Sequence, residues 1–119
     1  MSSRPEEMRD RTKTFALRII RLFRSLPYRT DTQVLGKQLL RCGTSVAANY
    51  RAVCRARSKA EFIARMGIVA EEADETILWL ELLTESGIIS PEKTAELLKE
   101  SRQLAAIFTA SQQTAKRAA

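Results

Sequence analysis

The residues best suited to chemistry in this sequence are the acidic side chains of the stretch EEADE at residues 71–75. Glu71 and Glu75 lie four residues apart, so a helix would place both carboxylates on one face, where oxygen ligands could hold Mg²⁺ or Ca²⁺. Metal-binding four-helix bundles add carboxylate or histidine ligands from facing helices, and this sequence offers no second carboxylate-rich helix. A solvated or salt-bridged acidic face is therefore favoured over a metal site.

Other reactive residue types are scarce. The chain has no histidine, which removes the commonest general base and metal ligand. Its two cysteines, Cys42 and Cys54, form no CxxC motif, and their spacing favours two reduced thiols over a disulfide or a metal site. We therefore predict a protein that is not an enzyme, with no catalytic residue, no metal and no cofactor.

A row of basic residues on the second predicted helix is more informative, and it consists of Lys37, Arg41, Arg51 and Arg55. Helical periodicity puts these side chains on one side of the helix, opposite its apolar stripe. Such a row could contact successive phosphates of RNA or DNA, giving salt-dependent binding that is indifferent to base sequence. Aromatic residues make up only 6% of the chain, which argues against a surface that stacks on bases.

A structural polar network is the competing interpretation of the same region. Arg51 and Arg55 could form ion pairs with Glu71 or Glu75, either between helices or between subunits, and the two interpretations can hold for different residues. Asn49 lies at the flank of the apolar stripe, where an amide needs a hydrogen bond. It is predicted to bond a neighbouring helix and fix its register, with a ligand contact as the alternative.

Short punctuation signals divide the chain into four long segments. Proline at position 27 ends the first segment, and Ser58 with Glu61 forms a capping box at the start of the third. Gly87 is typical of the residue after a helix, and Ser90-Pro91 of the start of one. The predicted helices lie near residues 6–26, 31–56, 59–86 and 91–115.

These segments predict an all-α fold. Short connections favour antiparallel neighbours, so the architecture is an antiparallel up-down four-helix bundle, with one domain over residues 1–119 and flexible ends at 1–6 and 116–119. Gly43 and Gly67 fall inside helices at a cost of about 1 kcal/mol each, and close helix approach is the expected compensation.

The third helix is apolar on two sides. Its core-facing seam is predicted to consist of Ile63, Met66, Ala70, Ala73, Ile77 and Leu80, because their 3-4 spacing is that of a coiled coil. A second apolar set points away from this seam and consists of Ile68, Leu78, Trp79 and Leu82. An exposed apolar surface of this size usually marks an interface, so we predict a homo-oligomer; the alternative is that the fourth helix or the tail covers this face.

Charge is distributed unevenly along the chain, whose net charge is +6. Residues 1–57 hold 13 Lys/Arg and 4 Asp/Glu, whereas residues 58–100 hold 4 and 10. This asymmetry favours either an anionic partner for the first part or pairing between the two parts. The charged N-terminal segment does not look like a signal peptide, and the apolar runs are too short to cross a membrane, so we predict a cytoplasmic protein.

Three stretches of the sequence resemble a known family. Residues 39–49, LLRCGTSVAAN, are similar to an R-A-x-S-I/V-x-A-N segment, residues 57–62, RSKAEF, to an R-S-x-x-E-F turn, and residues 68–75, IVAEEADE, to a long third helix. These features belong to the bacterial four-helix bundle proteins first recognised as products of intervening sequences in 23S ribosomal RNA genes. The family's usual I-A-E-G after the asparagine is replaced by YRAV at residues 50–53, which puts any role of that acid in doubt here.

The resemblance implies an assembly, because proteins of this family form rings, typically homopentamers. The related accessory variability determinant of diversity-generating retroelements is such a pentamer and binds a reverse transcriptase and nucleic acid. We therefore predict a non-enzymatic, pentameric bundle with a basic surface, which binds RNA or DNA or serves as an accessory to another protein. The alternative is a structural or protein-interaction module without affinity for nucleic acid.

Overall fold

Four helices make up the described part of the chain, residues 4–118, in a computed structural model. They are α1 (Pro5–Ser25), α2 (Thr30–Cys54), α3 (Lys59–Glu85) and α4 (Pro91–Arg117). Each helix packs against the next one in the chain, and α4 closes the bundle against α1 more sparsely. The result is a bundle with extents of 50 × 21 × 20 Å, which confirms the all-α, up-down four-helix prediction.

The helix ends follow the local signals closely. The Ser58 hydroxyl accepts a hydrogen bond from the Glu61 backbone N–H at 3.0 Å. Gly87 adopts a positive φ of 84° just after α3. Of the ends predicted to be flexible, residues 1–3 and 119 lie outside the described residues. Pro5 and Glu6 belong to α1, and Lys116 and Arg117 belong to α4; the flexibility of these positions stays a prediction.

Half of the residues predicted for the core seam of α3 are buried there. The fully or nearly buried positions of α3 are Met66, Val69, Ala73, Thr76, Leu80 and Leu83. The predicted flank of Ile63, Ala70 and Ile77 is only half-buried. Both sets have the same 3-4 spacing around the shared Met66, Ala73 and Leu80, so spacing alone could not choose between them.

Thr76 explains part of that miss, because a threonine in the core was not counted as a core residue. Its hydroxyl donates to the Glu72 carbonyl at 2.8 Å, so the polar atom is satisfied within its own helix. Ser101 does the same on α4, donating to the Leu97 carbonyl at 2.7 Å. Hydroxyls bonded in this way fill core positions at little cost.

Gly43 and Gly67, the two helical glycines that the sequence singled out, lie where another element comes close, as predicted. A Cβ added at Gly43 would be 2.7 Å from Ile19 Cγ1 on α1, so only hydrogen fits there without a shift. A Cβ at Gly67 would be 2.6 Å from the Gln112 amide nitrogen on α4.

Among the described helices, none combines the length and hydropathy that crossing a membrane requires.

Candidate functional site

The outer side of α2 carries the predicted basic row. The inner side of α2 is held in the core by Leu39, Val46 and Val53, and this burial turns the opposite side of the helix to solvent. All four members of the row, Lys37, Arg41, Arg51 and Arg55, are exposed. The row runs about 27 Å from Lys37 to Arg55, at 1.5 Å per residue.

Arg41 differs from the other three because it is anchored to α3. Its Nη2 lies 3.4 Å from Glu75 Oε1 and its Nη1 lies 3.9 Å from Glu72 Oε1. The same Nη2 lies 3.2 Å from Gln38 Oε1. This pairing corrects the prediction for Glu75, whose partner within the chain is Arg41 and not Arg51 or Arg55.

The register of the two antiparallel helices explains the correction. Because Arg41 lies opposite Glu75, Arg51 and Arg55 are about 15 and 21 Å further along α2, towards the turn that joins it to α3. No carboxylate lies within ion-pair distance of Arg51, Arg55 or Lys37 among residues 4–118. Glu71 is exposed and likewise unpaired over the described residues, so its predicted pairing does not form within one chain.

Asn49 does not make the bond predicted for it. The residue is half-buried on α2, and within the described part of the chain no side-chain hydrogen bond joins it to another helix. Its amide keeps partial access to solvent, which meets the hydrogen-bonding requirement without a protein partner. The polar side-chain contacts between α2 and α3 are made instead by Arg41 and Cys42 with Glu72 and Glu75.

Cys42 joins the Arg41 contacts from inside the bundle. Its Sγ lies 3.1 Å from Glu75 Oε1 and 3.3 Å from Arg41 Nη2. Burial and the hydrogen bond to Glu75 raise the pKa of the Cys42 thiol to about 12, so the thiol is protonated at neutral pH and donates to the carboxylate. Sequence reasoning treated Cys42 only as a reduced thiol and missed this arrangement, which depends on the α2–α3 register.

Three potential metal-ligating atoms meet here, because Cys42, Glu72 and Glu75 each place one within 4.8 Å of the others. The set differs from the Glu71 and Glu75 pair, which the sequence offered as the disfavoured alternative, because Glu72 lies on the side of α3 that faces α2. The guanidinium of Arg41 already supplies positive charge to the two carboxylates. A metal would therefore need Arg41 to move away and the thiol to lose its proton.

The outer face of α3 is apolar where the sequence predicted an interface. Ile68, Leu78 and Leu82 are 46%, 46% and 39% exposed, among the largest exposures of bulky apolar side chains in the molecule. Trp79 is half-buried and packs against the core, which corrects its assignment to the outer surface. Trp79 follows Leu78 in the sequence and lies on the flank of α3 that faces α2.

The matched family is described as the 23S rRNA-intervening sequence protein family, and the match covers residues 6–110. This chain belongs to that family. It is also similar to the crystal structure of a protein of unknown function from the S23 ribosomal protein family of Bacteroides thetaiotaomicron, with a TM-score of 0.80 and 35% sequence identity. The similarity covers 86% of this chain and 94% of the other. None of the curated proteins matches this chain.

The 23S rRNA-intervening sequence family match includes the whole basic row, the Arg41 contacts and the outer face of α3. The last turns of α4, residues 111–117, lie beyond it. In this segment the Gln112 side chain donates to the Ile63 carbonyl at 3.0 Å, and Ser111 and Thr114 help to line an open apolar groove of about 810 Å³ with Met8, Tyr50 and Phe108.

Proposed function

We propose that this protein is a non-enzymatic, homo-oligomeric four-helix bundle of the cytoplasm that offers the outer side of α2 to RNA or DNA. The observation that carries the proposal is the state of the basic row. Lys37, Arg51 and Arg55 are exposed and have no ion-pair partner within residues 4–118, although the molecule has many carboxylates. Three cations left free along one helix are available to phosphates.

The dimensions of the row suit a nucleic-acid backbone. A duplex carries one phosphate per 3.4 Å along each strand, so the 27 Å row would extend along about eight base steps. Arg41 is fixed by α3 and would hold its position while the free cations adapt to the phosphates. Of the exposed large apolar residues, Tyr28 is the aromatic one. It lies in the α1–α2 turn, outside the basic row, so the row itself offers no ring for stacking on bases. Binding would therefore be indifferent to base sequence.

Assembly would strengthen such binding. The exposed apolar residues of α3 support a homo-oligomer, and the family resemblance suggests five copies. Several basic rows on one particle would act on the same strand, and this multivalency raises the apparent affinity without any new type of contact.

The test compares the affinity of the full chain for duplex RNA and duplex DNA at 50 and 200 mM salt, by fluorescence anisotropy. Four phosphate contacts give a loss of about 100-fold between these salt concentrations. The variant Lys37→Glu/Arg51→Glu should bind much more weakly, with a shallower salt dependence. The matched control, Lys93→Glu/Lys99→Glu, makes the same change of net charge on exposed residues of α4 and should bind as the wild type does.

An assembly or protein-interaction module without nucleic-acid affinity is the second candidate, and the exposed apolar face of α3 favours it. In that case Arg51 and Arg55 pair with Glu71 or Glu75 of a second copy, or the basic row contacts another protein. A wild-type oligomer that binds neither RNA nor DNA at 50 mM salt would establish this alternative. Equal weakening by both double variants would also contradict the proposed role of the α2 row.

A further inference from the structure

Two exposed rows on different helices have matching patterns. The first, called the acidic α3 row, consists of Glu75, Leu78, Leu82 and Glu85. The second, called the basic α1 row, consists of Lys13, Leu17, Ile20 and Arg24. Each row places two apolar side chains between two charges of one sign, and the signs are opposite in the two rows.

The rows are available for contact. Leu78 and Leu82 are 46% and 39% exposed and Leu17 is 42% exposed, while Ile20 is half-buried beside it. The charged residues at the ends of both rows are exposed. Over the described residues, Glu75 is the one charged member with an ion-pair partner, Arg41 at 3.4 Å, and half of its side chain remains exposed.

The lengths of the rows also match. The ends of the acidic α3 row are ten residues apart and those of the basic α1 row eleven, which correspond to about 15 and 17 Å of helix. Both follow the alternating spacing of three and four residues that keeps a seam facing a partner helix. Seated on each other, the four apolar side chains would meet at the centre and each acid would lie near a base.

The position of α1 and α3 in the bundle determines the kind of assembly. Both helices pack against α2 and α4 and not against each other, so they occupy diagonal corners. Their outer rows therefore face in opposite directions. Two different complementary surfaces on opposite sides of a protomer give head-to-tail association, which forms a closed ring when the rotation between copies permits it.

We propose that the acidic α3 row of one copy packs against the basic α1 row of the next. This inference rests on the homo-oligomer of the proposed function and names its contact surfaces. In the competing symmetric contact, the acidic α3 rows of two copies would pack against each other. Glu75 and Glu85 of one copy would then lie near acidic residues of the other, and like charges in an interface are disfavoured. The same objection applies to α1 on α1 through Lys13 and Arg24.

Complementary single-row variants provide the test. Leu17→Glu damages only the basic α1 row and Leu82→Glu only the acidic α3 row. Each should dissociate at protein concentrations where the wild type is oligomeric, with the dissociation constant raised at least about 30-fold. Mixed in equal amounts, they should form a heterodimer, because each variant keeps the row that the other needs. Light scattering and analytical ultracentrifugation measure the masses.

Val34→Glu is the matched control, since Val34 is 59% exposed on α2 outside both rows; it should keep the wild-type mass. Circular dichroism melts check that all variants fold.

A second experiment reverses the charges of the rows. Lys13→Glu/Arg24→Glu should dissociate, because both of its rows are then acidic. Mixing it with Glu75→Lys/Glu85→Lys, whose rows are both basic, should restore association.

The outcomes separate the two proposals. A monomeric wild type would overturn the homo-oligomer and this inference together. An oligomeric wild type whose row variants keep its mass would overturn only the assignment of the rows. Dissociated variants that form no heterodimer on mixing would overturn the head-to-tail pairing of α3 with α1, and dissociation of Val34→Glu would move the interface to α2.

Discussion

The α1–α2 and α3–α4 pairs of this bundle are held together in different ways. α1 and α2 both carry more basic than acidic residues, and no ion pair joins them within residues 4–118. They meet instead by close packing, with Ile19 of α1 filling the space over Gly43 of α2. Helices of like charge gain nothing from attraction across the seam, so the contact between them depends on shape.

The α3–α4 pair depends more on polar contacts. α3 carries seven acidic and two basic residues, whereas basic residues prevail on α4. Arg102 Nη2 lies 3.2 Å from Glu81 Oε2, Gln112 bonds the Ile63 carbonyl, and the hydroxyls of Thr84 and Thr94 lie 2.8 Å apart. The same bundle geometry is therefore held by steric fit between α1 and α2 and by added polar contacts between α3 and α4.

The largest expected effect comes from the steric fit at Ile19 and Gly43. Ile19→Ala should lower the free energy of unfolding by about 3 kcal/mol, and Gly43→Ala by about 2 kcal/mol, because its methyl group would overlap Ile19. The double variant should cost at least about 1 kcal/mol less than the sum, because each change relieves the other. Urea unfolding measures all three.

Gly67→Ala is the control on the α3–α4 side, where the added methyl group would meet only the end of the Gln112 side chain. The gain in helix propensity of about 1 kcal/mol should offset the loss of the Gln112 hydrogen bond, also about 1 kcal/mol. A cost at Gly67 equal to that at Gly43, or strict additivity of the double variant, would contradict the contrast between the two seams.

The second effect tests the polar side through Thr94→Val. Thr84 donates to the Leu80 carbonyl at 2.7 Å, which leaves Thr94 as the donor between the two hydroxyls, ahead of its longer contact with the Pro91 carbonyl at 3.3 Å. Removal of the Thr94 hydroxyl therefore leaves the half-buried Thr84 oxygen without this donor. We expect a loss of about 1 kcal/mol. The control is Thr76→Val, also fully buried, whose hydroxyl bonds only within its own helix; it should cost less than about 0.5 kcal/mol. Equal costs would show that the bond between helices adds nothing.

The sequence was sufficient for the fold because its signals are local. Capping at Ser58, the glycine at position 87 and apolar periodicity each act within a few residues, and together they placed every helix end within two residues of its observed position. The one seam that was half wrong, on α3, depends on which neighbours flank that helix. That information is in the packing and not in the spacing.

The sequence could predict which helix carries the candidate site, but not which side chains meet there. The sequence placed the basic row on the outer side of α2, and the structure has all four members exposed there. It could not say which arginine meets Glu75, because a shift of one helical turn between α2 and α3 would change the partner. Cys42 and Glu72 were missed for the same reason, since the contact of Cys42 with Glu75 and the contact of Glu72 with Arg41 both cross from α2 to α3.

The smallest expected effect concerns the ion pair that connects the two sides of the bundle across the sparse α1–α4 edge. Arg11 Nε lies 2.7 Å from Glu100 Oε2 and Arg11 Nη2 lies 2.9 Å from Glu100 Oε1. The hydrogen bonds from Arg11 lower the pKa of the Glu100 carboxyl below its ordinary value. The folded state therefore binds a proton at Glu100 less readily than the unfolded chain does.

It follows that the stabilisation by Glu100 is fully present above its ordinary pKa, near 4.3, and is lost as pH falls through the lower folded value. Glu100→Gln should lower the free energy of unfolding by about 0.5 kcal/mol at pH 7, and this difference from the wild type should shrink as pH falls through the lowered folded pKa of Glu100. Glu61, whose pKa is lowered by the Arg57 amide and the Arg65 side chain, titrates in the same range in both proteins and cancels in the comparison. A difference that stays constant from pH 7 to pH 3 would show that Glu100 acts by packing, and the α1–α4 edge would then resemble the α1–α2 seam.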